Sequence, residues 1–261
     1  MSRKQKAESR GRGLRSGGAG LAVLVVAILA LGGCGGGDRA ELKVSAASSL
    51  KAAFPKYEPD ARYSFAGSDE LAAQIRAGAR PDVFAAANTK LPDALFAAGL
   101  VEKPVVFAGN RLVLAVPADG SKVGTLADLE KPGVTIAVGA PSVPVGSYTR
   151  DVLGRLGAAR SKKILANVRS NEPDVAGVVG KLTQGAVDAG FVYFTDVRAT
   201  DGRLEAIDLP AGLEPKVEYG VAVVKGTRHH AEARDFVDGL TGSRGQKALA
   251  DAGFTGAAGG Q

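Results

Sequence analysis

At four places this 261-residue chain sets a small polar residue or a tight loop between an apolar, strand-like run and a helical pattern. They are Ser48-Ser49, Gly67-Ser68, Val145-Gly146-Ser147 and Asp174-Val175. A helix start offers backbone N–H groups that lack intrahelical partners, together with a partial positive charge. Several such starts gathered on one edge of a parallel α/β sheet would form a receptor for an anion without any Lys or Arg. Each junction taken alone is explained equally well by ordinary N-capping.

The parts needed for enzyme chemistry are missing. The chain has no G-x-S-x-G elbow, no H-E-x-x-H and no G-x-x-x-x-G-K-[ST], although Gly180-Lys181 resembles the end of the last. Its two histidines, His229 and His230, are adjacent, an offset that does not put two ligands on one helix face. They read as the start of a solvated helix. A serine hydrolase using Ser49 or Ser68 would have only these histidines as a base. The expectation is a protein that is not an enzyme, with no catalytic residues and no cofactor.

The elements that must position the junctions read as alternating strands and helices, the pattern of α/β architecture. Strands are expected over residues 42–47, 62–66, 82–87, 111–117, 134–138, 190–194 and 217–224. A helix opens at Ser48-Ser49 with Leu50, Ala53 and Phe54 on one face, and Pro55 should end or kink it. Ser68 is expected to cap a helix that carries Leu71 and Ile75 and stops at Gly78; Asp69 would be its first residue. A short helix ends at Gly99, and Thr125 caps another. The loop 141–146 leads to a helix with Tyr148, Val152 and Leu156, and Asp174 caps one with Val175, Val178, Val179 and Leu182 at i, i+3, i+4, i+7. Two helices, near 230–240 and 243–250, end the chain. Periodicity leaves open whether this is one wide sheet or two lobes.

The formal charge of +6 invites a nucleic-acid reading that its distribution removes. Six basic residues against Glu8 precede Cys34, so the body beyond it carries only +1. A near-neutral body gives no electrostatic reason to bind a polyanion. The basic head runs into eleven apolar residues, Leu21 to Leu31. As a helix these span about 16 Å, too short for a hydrocarbon core of about 30 Å, and the pattern is that of a secretory signal. Leu31-Gly32-Gly33-Cys34 resembles a bacterial lipobox, in which the cysteine becomes the lipidated first residue of the mature chain. Cys34 is the only cysteine, which excludes an intrachain disulfide, and Gly35-Gly36-Gly37 beside it suits a tether. Residues 1–33 are thus expected to be a signal peptide and 34–41 an anchor and tether, holding the protein by lipid on the outer face of the cytoplasmic membrane.

Taken in order, the segments resemble the periplasmic molybdate-binding family of ABC importers. Val44-Ser-Ala-Ala-Ser-Ser-Leu50 is similar to its first strand–helix junction, and Ser64-Phe-Ala-Gly-Ser-Asp-Glu-Leu71 with Gln74-Ile75 to its second. Asp82-Val-Phe84, Val138-Gly-Ala-Pro-Ser-Val-Pro-Val-Gly146, Phe191-Val-Tyr193 and Val217-Glu-Tyr219 with Val221-Ala-Val-Val224 complete the set, which spans residues 42–255. The resemblance implies a two-lobed periplasmic-binding-protein fold of type II. Each lobe would be a mostly parallel sheet flanked by helices: lobe I from 42–110 plus 225–261, lobe II from 118–216. Two crossing strands, 111–117 and 217–224, would join them. It implies a monomer that captures molybdate or tungstate between the lobes and delivers it to a membrane permease, with molybdenum present only as the oxyanion. Residue by residue, Ser49 and Ser68 match the serine ligands, Val145 and Val175 positions that donate only backbone N–H, and Tyr193 the phenol that closes on the anion.

Two departures bear on this. The stretch from Leu50 to Phe65 is about two helical turns shorter than is usual in the family. Asp69 stands where a small neutral residue is more usual. Beside a dianion it would repel, unless it accepted a proton carried by a ligand such as hydrogen phosphate, so it is expected to point away from the cleft. A phosphate, sulfate or other small-anion binder, and an adhesion lipoprotein with a vestigial cleft, are the competing readings.

Overall fold

The computed structural model describes residues 41–257. The signal segment, Cys34 and all of the tether but Glu41 lie outside the described residues.

Two five-stranded sheets organise the chain. In sheet one the spatial order is β2 (Arg62–Ala66), β1 (Lys43–Ala47), β3 (Val83–Ala86), β10 (Val217–Val223), β4 (Val105–Asn110). In sheet two it is β7 (Val168–Glu172), β6 (Ile136–Gly139), β8 (Ala189–Tyr193), β5 (Leu112–Pro117), β9 (Leu204–Ile207). Each sheet begins with three parallel strands and carries one reversed strand: β10 runs antiparallel to β3 and β4, and β5 antiparallel to β8 and β9. The inner strands are mostly apolar, and Val83, Phe84, Ala85 and Ala86 of β3 are all fully buried, as strands covered on both faces must be.

Helices α1 (Phe54–Tyr57), α2 (Ser68–Arg76), α3 (Lys90–Ala97), α8 (His230–Thr241) and α9 (Ser243–Asp251) pack on sheet one. Helices α4 (Pro144–Arg155), α6 (Val175–Thr183) and α7 (Phe194–Arg198) pack on sheet two, and α5 (Ala158–Ala166) packs outside them on α4 and the turn Leu126–Glu130. This is the two-lobed binding-protein fold, and sheet one draws its strands from both ends of the chain.

The passages between lobes are shorter than whole strands. Residues 111–117 and 217–224, expected to cross, instead supply β5 and β10, the reversed strand of one sheet each. The chain changes sheets at Arg111, between β4 and β5, and over residues 208–216, between β9 and β10.

The first helix also differs from the sequence reading. Ser48–Leu50 form a single 3-10 turn, and Pro55 stands in the first turn of a new short helix, α1, rather than ending an old one. A proline there lacks an N–H that would have had no partner anyway. Leu50, Ala53 and Phe54 are nonetheless all fully buried, as their spacing requires.

Candidate functional site

The strand registers bring the junctions together. Ala47 pairs with Ala66, so Ser48-Ser49 and Gly67-Ser68 leave sheet one side by side. Gly139 pairs with Glu172, which sets the loop before α4 beside Pro173-Asp174 in the same way. The C-terminal ends of these strands face one another across a single cleft between the sheets, lined by Ser49, Ser68, Val145, Val175 and Tyr193 together. All five residues singled out in the sequence therefore meet at one place.

Each reaches the cleft by a local device. Ser68 is not the cap of α2: Gly67 holds the cap position and Ser68 is the first helical residue. Its Oγ accepts the Ala87 N–H at 3.1 Å, from the end of the neighbouring β3. Because that backbone group can only donate, the Ser68 hydroxyl proton remains free for the cleft. Helix α4 begins at Pro144, inside the stretch 141–146 expected to be loop, which makes Val145 N–H the first N–H of that helix without an intrahelical acceptor. The seat depends on Gly146, where a Cβ would lie 1.9 Å from the Ala140 carbonyl oxygen. Asp174 caps α6 as its sequence position suggests, its Oδ1 accepting Gly177 N–H at 2.8 Å, and Val175 opens the helix with its own N–H unpaired within it.

Tyr193 ends β8 and is 1 % exposed, yet its hydroxyl has no hydrogen-bond partner among the described residues. Its ring packs edge-on against Tyr148 and Tyr219, with centroids 6.5 and 5.8 Å away. A buried, unpartnered O–H aimed into a cleft is costly unless something there accepts it.

Among the described residues, no Lys or Arg lines the cleft. Burial pushes the Tyr193 and Tyr219 phenols well above their ordinary value, so both stay protonated donors. Asp196, in the first turn of α7, receives Tyr193 N–H at 3.0 Å. Burial, reinforced by the nearby Asp174 carboxylate, still pushes it up to about 7. Asp69 does not line the cleft. It is the second residue of α2, half-buried, with Oδ1 unpaired and turned back toward Gly67. At that seam the lobes touch, since a Cβ on Gly67 would come within 2.5 Å of the Pro173 carbonyl oxygen.

Neither serine is set up as a nucleophile. Ser49 Oγ bonds the Tyr219 hydroxyl at 2.8 Å and Ser68 bonds a backbone amide. The histidines do not line the cleft: His229 meets Asp82 at 3.2 Å and His230 meets Glu102 at 2.7 Å. The cleft thus presents neutral hydrogen-bond donors, and no histidine among the described residues stands beside either serine.

Residues 42–255 match the family of bacterial extracellular solute-binding proteins. The chain belongs to that family. Among curated relatives, the molybdate-binding protein ModA of Mycobacterium tuberculosis (strain H37Rv) is 36 % identical over 222 residues, covering 81 % of this chain and 83 % of the relative. YvgL of Bacillus subtilis (strain 168), a putative ABC transporter substrate-binding lipoprotein, is 31 % identical over 230 residues, 82 % of this chain and 86 % of its own. Among solved structures, the substrate-binding domain of a putative molybdenum ABC transporter from Clostridium difficile is 30 % identical with a TM-score of 0.62, covering 83 % and 98 %. The family is one of binding proteins, not enzymes.

This solute-binding protein also contains polar residues that sequence reasoning did not single out. Asn110, Thr195 and Tyr219 are buried beside the cleft, with Asn110 donating to each of the other two. Their signal in the sequence was slight: a polar residue closing an apolar strand, and a tyrosine inside one.

Proposed function

We propose that this protein is the extracytoplasmic binding component of an ABC importer that captures molybdate, or tungstate of nearly the same size. Ser49, Ser68 and Tyr193 donate hydroxyls to the anion, and Val145 and Val175 donate backbone N–H. The observation that carries the reading is the convergence of these donors, from both lobes, on one cleft without a cation. A desolvated dianion needs many donors, and each charge-assisted bond contributes about 1.5–3 kcal/mol, enough for tight binding after the costs of association. The names of the mycobacterial and clostridial relatives point to the same ligand class.

The mature protein is held to the membrane through a lipid on Cys34 and delivers its anion to the permease there. The lipobox-like run ending at Cys34 supports this, as does the lipoprotein description of the Bacillus relative. Calorimetry against molybdate, tungstate, sulfate and phosphate tests the reading. Molybdate and tungstate should bind alike and at least about a hundredfold more tightly than the other two, a difference near 3 kcal/mol. Phosphate or sulfate ranking first, or no heat with any of the four, overturns it.

A further inference from the structure

Behind Ser49 a line of buried hydrogen bonds runs across both passages of the chain. Asn110 is the last residue of β4, immediately before the first passage, and Tyr219 lies on β10, after the second. Asn110 Nδ2 lies 2.9 Å from Thr195 Oγ1 in lobe two and 3.4 Å from the Tyr219 hydroxyl, which in turn meets Ser49 Oγ at 2.8 Å. Tyr219 is fully buried, and Ser49, Asn110 and Thr195 are nearly so.

The proton directions in this line follow from one fixed end. Arg111 N–H, which can only donate, points at Asn110 Oδ1 at 2.8 Å, so the other side of that amide is the NH2. The NH2 donates to Thr195 and to Tyr219. With Asn110 donating to it, the Tyr219 oxygen has one neighbour in reach able to accept its own proton, Ser49 Oγ. Leaving a buried phenol proton unpaired costs about 1–3 kcal/mol, so the bond forms in that sense. Ser49 is then an acceptor toward Tyr219, and its own proton is left for the cleft.

We propose that Tyr219, oriented by Asn110, is a positioning residue that makes Ser49 an obligate donor and thereby sets the cleft against oxyanions that carry a proton. The proposal rests on the anion-binding reading above. Ser68, fixed as an acceptor by Ala87 N–H, and Tyr193, with no acceptor at hand, present donors as well. Asp174, the carboxylate at the cleft wall, is engaged by Gly177 N–H. A fully deprotonated tetrahedral dianion can accept from every side. Hydrogen phosphate must place its P–OH against one of these hydroxyl donors or bring it to the remaining oxygen of Asp174.

The test is a double-mutant cycle of Ser49→Ala and Tyr219→Phe. Affinity is read by calorimetry for molybdate and for phosphate near neutral pH, with thermal unfolding of the ligand-free variants as a control. Tyr219→Phe keeps the ring and removes only the relay. It should weaken molybdate about tenfold in the wild-type background and by no more than about twofold once Ser49 is Ala, because its effect passes through that hydroxyl. The preference for molybdate over phosphate should narrow in Tyr219→Phe, since Ser49 can then turn and accept. Purely structural loosening would weaken both anions alike and add to Ser49→Ala. Additive losses with an unchanged preference overturn this inference and leave the anion-binding reading standing. A wild-type protein that binds neither anion overturns both.

Discussion

Replacing Tyr193 by Phe separates what the cleft does for an anion from what it does for the fold. The substitution deletes one oxygen and keeps the ring that packs on Tyr148 and Tyr219, so no cavity opens in the core. The deleted hydroxyl has no partner among the described residues, so the ligand-free protein loses no internal hydrogen bond. Removing a buried, unpaired donor is neutral or stabilising by up to about 1 kcal/mol, equivalent to a rise of about 2–4 °C in Tm for a chain of this size. Toward a bound dianion the same hydroxyl is a charge-assisted donor, and its loss weakens binding by about 1.5–3 kcal/mol, roughly ten- to 150-fold. The variant should therefore be as stable as wild type or more so without ligand, and bind molybdate far more weakly. Calorimetry reads the affinity. Melting curves with and without molybdate read the stability, and each tenfold rise in Kd removes about 1.4 kcal/mol of ligand protection. Wild-type affinity in the variant, or a ligand-free Tm lowered by more than about 5 °C, would refute the reasoning, the latter by implying a partner inside the fold.

Gly67→Ala should weaken molybdate at least about tenfold in calorimetry, because φ −60 and ψ 135 suit any residue while the new methyl would meet the Pro173 carbonyl across the seam where the lobes touch. Asp69→Asn should change molybdate affinity by no more than about threefold, the side chain being half-buried and outside the cleft wall; a switch away from phosphate would show instead that Asp69 takes a ligand's proton. Asp196, pushed up to about 7, holds its proton more firmly in the folded chain than in the unfolded one. Its stabilising contribution is complete below the unfolded value near 4 and lost as pH rises through about 7, so Asp196→Asn should raise Tm over wild type at pH 8 and not at pH 4. Cys34→Ala should release the protein from membranes or leave its signal uncleaved, as fractionation and N-terminal mass would record.

What could be read from residues alone followed the strength of the local signal. Strands β1, β3 and β8 are apolar runs between turn residues, and the helix of Val175, Val178 and Leu182 repeats at 3.6 residues with an Asp cap; such segments declare themselves. Strand β7, Val-Arg-Ser-Asn-Glu, lies at a sheet edge with alternate residues exposed, and nothing in its composition marks a strand. Strand β4 was missed for another reason: its Val105-Val-Phe107 run is strand-like in composition, but it forms an edge of sheet one with Val105 and Val106 exposed. Helix α5, with Ile164 its one buried position, carries almost no stripe to detect. Ser68 was assigned to the right place for the wrong local reason, because a serine before a helix reads as a cap while the Ala87 amide that engages it comes from another strand. The relay through Asn110 and Tyr219 depends on contacts 109 and 170 residues apart in sequence, which no window of sequence contains.

In the proposed binding mode the topology would make capture and closure one event. The chain passes into lobe two through Arg111 alone, and Leu112, the next residue, pairs directly with Tyr193, so the first passage is fastened to the strand that carries the closing phenol. Ser49 and Ser68 stand on the lobe-one side of the cleft and Val145, Val175 and Tyr193 on the lobe-two side. In the proposed binding mode the lobe-two donors would reach an anion held by the serines only when the lobes are together. Three charge-assisted bonds made in the shut form alone amount to about 4.5–9 kcal/mol of differential affinity. Moving a two-state equilibrium from one part in a hundred closed to ninety-nine in a hundred takes about 5.5 kcal/mol. In the proposed binding mode, the lobe-two donors would be sufficient to drive a shift of that size. Any single one of them removed leaves that margin thin, which is why loss of the Tyr193 hydroxyl should show in the closure equilibrium as well as in Kd.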